Sequence, residues 1–139
     1  MKPIYPARFE LQPEGGYLVQ FIDLPEVMTE GATLEEAELN AQEALSGILE
    51  FRLDENQDIP DPAVISDENV RYVSPDAQIQ AALLVRKQRG VMPLSTLARA
   101  LETSWPAAQR LEDPHHWPTL KQLDRTARAL GKRLVLSME

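Results

Sequence analysis

Residues 15–45 read Gly15-Gly-Tyr-Leu-Val-Gln-Phe-Ile-Asp-Leu-Pro-Glu-Val-Met-Thr-Glu-Gly-Ala-Thr-Leu-Glu-Glu-Ala-Glu-Leu-Asn-Ala-Gln-Glu-Ala-Leu45, and this run decides the arrangement of the rest. Gly15-Gly16 is a turn signal. Tyr17 to Leu24 carries the β-branched and aromatic residues of a pleated, half-buried strand. Thr33 with Glu36 three residues on is a capping box, in which each side chain satisfies an orphan backbone donor at a helix start. Leu34, Ala37, Ala41, Ala44, Leu45, Ile48 and Phe51 then fall on one helix face.

Outward from this unit, Ile4 to Leu11 reads as a first strand, joined to the second by the turn Gln12–Gly16. Pro6 lacks a backbone donor, which suggests an edge or a bulge. Val27 to Glu30 is a short third strand that Gly31 breaks. The helix runs from Thr33 to about Leu53. Residues 54–68 are acidic and contain Ile59-Pro60-Asp61-Pro62, hence a loop or extended arm. Asn69 to Ser74 has strand character, and Pro75-Asp76 marks a boundary.

Beyond it the texture changes to short helices. Asp76 caps one that ends at Arg89 before Gly90. Leu94 to Leu101 follows Pro93, with Leu94, Leu97, Ala98 and Leu101 on one face. Thr103-Ser104 caps Trp105 to Glu112, where Pro106 sits in the first turn and its missing donor costs nothing. Thr119 and Gln122 form a second capping box for Leu120 to Leu130, ended by Gly131. Lys132 to Met138, with Leu134, Val135 and Leu136, reads as a final strand. The fold class expected is α+β, a β-β-β-α-β domain over residues 1–75 followed by an all-α domain over 76–139 with a short C-terminal strand.

Charge divides the chain at the same place. Residues 1–75 carry four Lys/Arg against sixteen Asp/Glu, net −12, whereas residues 76–139 carry ten against six, net +4. An acidic half attracts a basic protein and a basic half tolerates a phosphate backbone. The absence of cysteine excludes disulfides, thiolate nucleophiles and cysteine metal sites. Met-Lys-Pro-Ile-Tyr-Pro at the N-terminus has no signal-peptide pattern, and no apolar run is long enough to span a bilayer. The expectation is a soluble, cytoplasmic protein with no membrane role.

Two short helices joined by Glu102-Thr103-Ser104 have the size of a helix-turn-helix. Ala98 is small enough for the helix crossing, and Ala108 and Leu111 supply inward contacts. Ser104, Trp105, Gln109 and Arg110 face outward; Ser104 suits a phosphate, and Gln109 and Arg110 suit adenine and guanine edges. A plain amphipathic hairpin explains the same spacing, and geometry alone leaves the two readings level. Asp23 at a strand end and Glu43 on the helix are the carboxylates nearest to a two-metal nuclease pair, but no second strand-end carboxylate joins them. Adjacent His115 and His116 point different ways with no third ligand near in sequence. No catalytic residue, metal site or cofactor is expected.

The run Leu97-Ala-Arg-Ala-Leu-Glu-Thr-Ser-Trp-Pro-Ala-Ala-Gln-Arg-Leu-Glu112 resembles the helix-turn-helix of the Xre/Cro-like repressors, and the likeness extends over roughly residues 78–139. It implies DNA contacts by Ser104, Trp105, Pro106, Gln109 and Arg110. Glu102 stands where that family usually has Gly, and Leu94 where it often has Gln. Tyr5-Pro-Ala-Arg-Phe-Glu10, Gly16-Tyr-Leu-Val-Gln-Phe-Ile-Asp-Leu-Pro25, Thr29-Glu-Gly-Ala-Thr-Leu-Glu-Glu-Ala37 and Asn40-Ala-Gln-Glu-Ala-Leu45 resemble the HicB antitoxins over about residues 1–75. That likeness implies a partial RNase H-like domain that holds HicA, a small basic RNA-cleaving toxin, beside a DNA-binding domain that represses their shared operon. Tyr17, Asp23, Glu26 and Glu30 are the candidates for toxin contact in the acidic half. Leu134, Val135 and Leu136 are candidates for an intermolecular strand in a homodimer, because helix-turn-helix proteins read paired half-sites. Two other readings remain: a transcription regulator with a small-molecule-sensing first domain, and a metal-dependent nuclease using Asp23.

Overall fold

A computed structural model describes all 139 residues. Four strands, β1 (Tyr5–Leu11), β2 (Tyr17–Phe21), β3 (Met28–Gly31) and β4 (Val70–Val73), form one antiparallel sheet in the order β3-β2-β1-β4. Helix α1 (Leu34–Asp54) lies between β3 and β4 in sequence, and α2 (Ala77–Arg89), α3 (Leu94–Ala100), α4 (Trp105–Arg110) and α5 (Leu120–Ala129) follow. The molecule is thus mixed α/β, with the sheet in the N-terminal part and the short helices after it.

Strand alternation places Tyr5, Ala7, Phe9, Val19, Phe21 and Val73 in the core, since successive side chains take opposite sheet faces. Helix α1 covers that face with Ala37, Ala41, Leu45, Leu49 and Leu53. The Thr33 hydroxyl accepts from the Glu36 N–H as the capping signal predicts. The spacing of four lets the buried stripe drift round the helix, so Leu49 and Leu53 enter the core whereas Phe51, expected inside, is 53% exposed.

Two further strand expectations change. Pro6 lies in β1, an inner strand rather than an edge. Its carbonyl accepts from Ile22, one residue past the end of β2, so the missing donor faces the ladder's end and interrupts little. Gly31 does not break β3 but belongs to it, paired with Tyr17. Its need for glycine comes from α1: a Cβ there would stand 2.3 Å from the Ala37 nitrogen.

The arm of residues 57–67, between turns at 55–56 and 68–69, has no regular secondary structure, and side chains of the sheet region fasten it. Tyr5 donates its hydroxyl to the Pro60 carbonyl at 2.8 Å, Asp23 accepts from the Ala63 N–H at 3.0 Å, and the Tyr72 hydroxyl accepts from Ile65 at 2.8 Å. Ile59 is buried in the main core.

Helix α2 joins two hydrophobic clusters. Ile79, Ala82 and Leu83 belong to the sheet–α1 core, past the expected boundary at residue 75, while Val85 meets Leu97 and Leu111 in a second, small cluster. Asp76 does not cap α2 with its side chain; its carboxylate accepts from Gln42 at 3.4 Å and its N–H donates to Ser46 Oγ at 2.9 Å. The strand expected over Lys132–Met138 is absent in the single chain. No free edge of the sheet accepts it, and without a ladder partner an extended segment forms no strand. Val135 and Leu136 are exposed there and Leu134 half-buried.

Candidate functional site

The α3–α4 pair is built by local chemistry. Helix α3 ends in a Schellman arrangement, the Thr103 N–H on the Ala98 carbonyl and the Glu102 N–H on that of Arg99. Glu102 occupies the left-handed position, φ +53°, where glycine is usual. Ser104 then caps α4, its Oγ accepting from the Ala107 N–H at 3.2 Å, and Pro106 falls in the first turn. Ala98 and Ala108 are buried at the crossing and Leu111 beneath it.

The bidentate pair of Arg89 with Glu112, at 2.5 and 3.0 Å, fixes the end of α4 against α2. Hydrogen bonding to Glu112 raises the Arg89 pKa further, so the guanidinium stays charged. Arg125 reaches the Leu101 carbonyl and holds α5 against the turn. Leu94 is half-buried against the second cluster, which explains an apolar residue there.

This frame presents Ser104, Trp105, Pro106, Gln109 and Arg110 together on the exposed side of α4. The Ser104 hydroxyl accepts the cap hydrogen bond from Ala107 and still has its own proton to donate. Trp105, Pro106, Gln109 and Arg110 also line a cleft of about 750 Å³ whose far wall includes Leu53, Asp54 and Asn56. An exposed Gln–Arg pair beside a helix N-terminus can take phosphates and base edges.

The four acidic-half candidates do not converge. Tyr17 shares the core-facing side of β2 with Val19 and Phe21, while Glu30 pairs with Leu18 on the opposite face. Asp23 is engaged with the arm through Ala63. Glu26 is paired with Arg52 at 2.7 Å. Both therefore hold the loop between β2 and β3 in place. No helix of the structure is long and apolar enough to cross a membrane.

One constellation escapes the sequence altogether. His115, in the loop after α4, sits against α1 with Nε2 2.8 Å from Asp54 Oδ2 and Nδ1 3.2 Å from Glu50 Oε1. The partners that seemed missing around His115-His116 are thus on the first helix, 61 residues away for Asp54. Glu50 and Asp54 are spaced i,i+4 and so share a face, but nothing local links them to a histidine.

Residues 4–75 match the family described as the HicB-like antitoxin of bacterial toxin–antitoxin systems. Antitoxin HicB of Escherichia coli K12 is 32% identical over 135 residues, covering 96% of this chain and 98% of that protein. Two proteins of Photorhabdus laumondii are similar over most of their lengths. Antitoxin HicB 1 is 31% identical, covering 97% of this chain and 86% of its own, and antitoxin HicB 2 is 34% identical, covering 95% and 94%.

Proposed function

Because this chain belongs to the HicB-like antitoxins of bacterial toxin–antitoxin systems, we propose that it neutralises a small basic RNA-cleaving toxin of the HicA type and represses its own operon. The observation that carries this reading is the match itself, which spans the sheet and α1 in the family and nearly the whole chain in the relatives. The charge division agrees with it: net −12 over residues 1–75 suits a basic toxin, and net +4 over residues 76–139 suits DNA.

In this reading the β-β-β-α-β unit is a partial RNase H-like domain that binds rather than cuts, in the cytoplasm and without a cofactor. It covers the toxin's RNA-contacting face by area and charge. Glu30, exposed on the outer face of the β2–β3 ladder, is the candidate contact; Tyr17 packs on the core-facing side, and Asp23 and Glu26 act by holding the adjoining loop. The α3–α4 pair is the helix-turn-helix, with Ser104 and Trp105 at the backbone and Gln109 and Arg110 at base edges. Two chains read two half-sites, joined by pairing Leu134–Leu136 as an intermolecular strand that the single chain leaves unmade.

Co-expression with the adjacent small basic reading frame tests the first half. The neighbour alone arrests growth, and the pair grows and co-purifies; a harmless neighbour, or a pair that fails to co-purify, overturns it. For the second half, Arg110→Ala weakens binding to the operon's own promoter by about 1–3 kcal/mol and relaxes its sequence preference, measured by titration at fixed salt. Unchanged affinity removes Arg110 from the interface.

A further inference from the structure

The cleft beside α4 is closed at one end by the His115 cluster. Nε2 is hydrogen-bonded to Asp54, and Nδ1 lies 3.2 Å from Glu50 Oε1 as a charge contact. One ring nitrogen and one oxygen of each carboxylate lie within 4.8 Å of one another, so the ring feels both negative charges at once. Two carboxylates beside one imidazole suit the imidazolium, which carries the opposite charge and an N–H on each nitrogen. Neutral His115 keeps the hydrogen bond to Asp54 and loses the charge attraction to both carboxylates.

The position of the cluster gives that change a consequence. Glu50 and Asp54 are in the last turns of α1, and His115 follows α4 by a few residues, so the contact ties the α4–α5 loop to the first helix. Asp54 and His115 line the cleft together with Trp105, Gln109 and Arg110. We propose that His115, Glu50 and Asp54 form a proton-controlled latch that ties the loop after α4, and with it one wall of this cleft, to the end of α1.

Other charges near the ring act with the carboxylates or are already committed. Asp113, on the same loop, adds negative charge and accepts from the His115 N–H at 2.9 Å. On the α2 wall Arg89 is bound to Glu112, and Arg86 to the carbonyls of Arg52 and Gln57. Arg110 on α4 is the remaining cation in the cleft wall and favours the neutral ring. The Asp54 hydrogen bond holds the His115 pKa above its ordinary value, with the Glu50 and Asp113 charges adding to it. A histidine raised in the closed form supports closure at low pH, and that support is lost as pH rises through the raised value. All three side chains are partly exposed, so the latch is weak enough to be reversible.

Its opening frees the loop after α4 and loosens the wall of the cleft beside the already exposed α4 face. That this face then meets DNA rests on the function proposed above, but the latch does not. The full-length protein is followed by NMR from about pH 6 to about pH 9, a range that brackets an imidazole. The His115 ring carbon and the Trp105 indole N–H are expected to move with one shared midpoint. His115→Gln removes the Trp105 step, Asp54→Asn moves both midpoints to lower pH, and His116→Gln changes neither. A Trp105 signal that ignores the His115 titration, or a step that survives His115→Gln, overturns the latch. Promoter binding is measured on the same samples. A Trp105 step with no promoter affinity at any pH supports the latch and rejects α4 as the DNA contact.

Discussion

Two single residues carry opposite lessons about backbone fit. At Gly31 the difficulty is space. The first turn of α1 approaches so closely that a Cβ would meet the Ala37 nitrogen at 2.3 Å, and the obstacle is backbone that cannot swing aside. Gly31→Ala is expected to destabilise the fold by about 1–3 kcal/mol or more, as overpacking does, seen as a lower midpoint in urea unfolding. At Glu102 the difficulty is conformation. A side chain is held in the left-handed region, at a cost of about 1–2 kcal/mol that glycine escapes. Glu102→Gly should raise stability by up to about 1 kcal/mol after the added chain entropy is counted, measured in the same titration. The glycine at residue 31 was visible as a break, but its reason was not, because a helix that follows in sequence packs back upon it. Glu102 was visible as a departure from a motif, and the structure shows the motif's geometry kept regardless.

Among the elements, the helix ends were the most legible part of the chain. Thr33, Ser104 and Thr119 all accept the cap hydrogen bond that their spacing implies, because capping is settled within four residues. Asp76 looked equivalent and failed, since Ser46 and Gln42 from α1 claim its groups first. The arm was legible only as an acidic, proline-bearing break. Its anchors Tyr5, Asp23 and Tyr72 lie on or beside the sheet, at separations that no periodicity records. Asp23, singled out for toxin contact or for metal chemistry, is one of these anchors. Replacing it with alanine should free the Ala63 amide, with hydrogen exchange there faster by roughly tenfold or more for a lost bond to a charged acceptor. Acid acts at the arm's far end. The Asn69 N–H and Arg8 hold the Asp67 carboxyl below its ordinary value, so its contribution is present above the unfolded-state value and disappears as pH falls through the depressed one. Protection of the amides across residues 65–69, taken relative to the intrinsic exchange rate at each pH, should therefore fall in acid before that of the sheet, whereas the Asp67→Asn chain shows no such early phase.

For the molecule as a whole, the division by charge was plain in the sequence while the division by packing was not. The acidic-to-basic change falls near residue 75, yet Ile79, Ala82 and Leu83 complete the core of the part before it. Only residues from Val85 onward serve the second cluster. Net charge is summed along the chain and so shows in composition, whereas a shared helix appears only when both of its faces are filled. A shortened chain of residues 1–90 is expected to unfold cooperatively, and one of residues 1–75 is not. The two are distinguished by whether near-ultraviolet dichroism and a single thermal transition persist. The continuity of α2 also bears on turnover. A protease that cuts inside this helix strips three apolar residues from the far core at one stroke, leaving bare hydrophobic surface of the kind that quality control removes. A cut beyond residue 90 leaves that core whole, so the fate of the N-terminal part depends on which side of the end of α2 is cleaved.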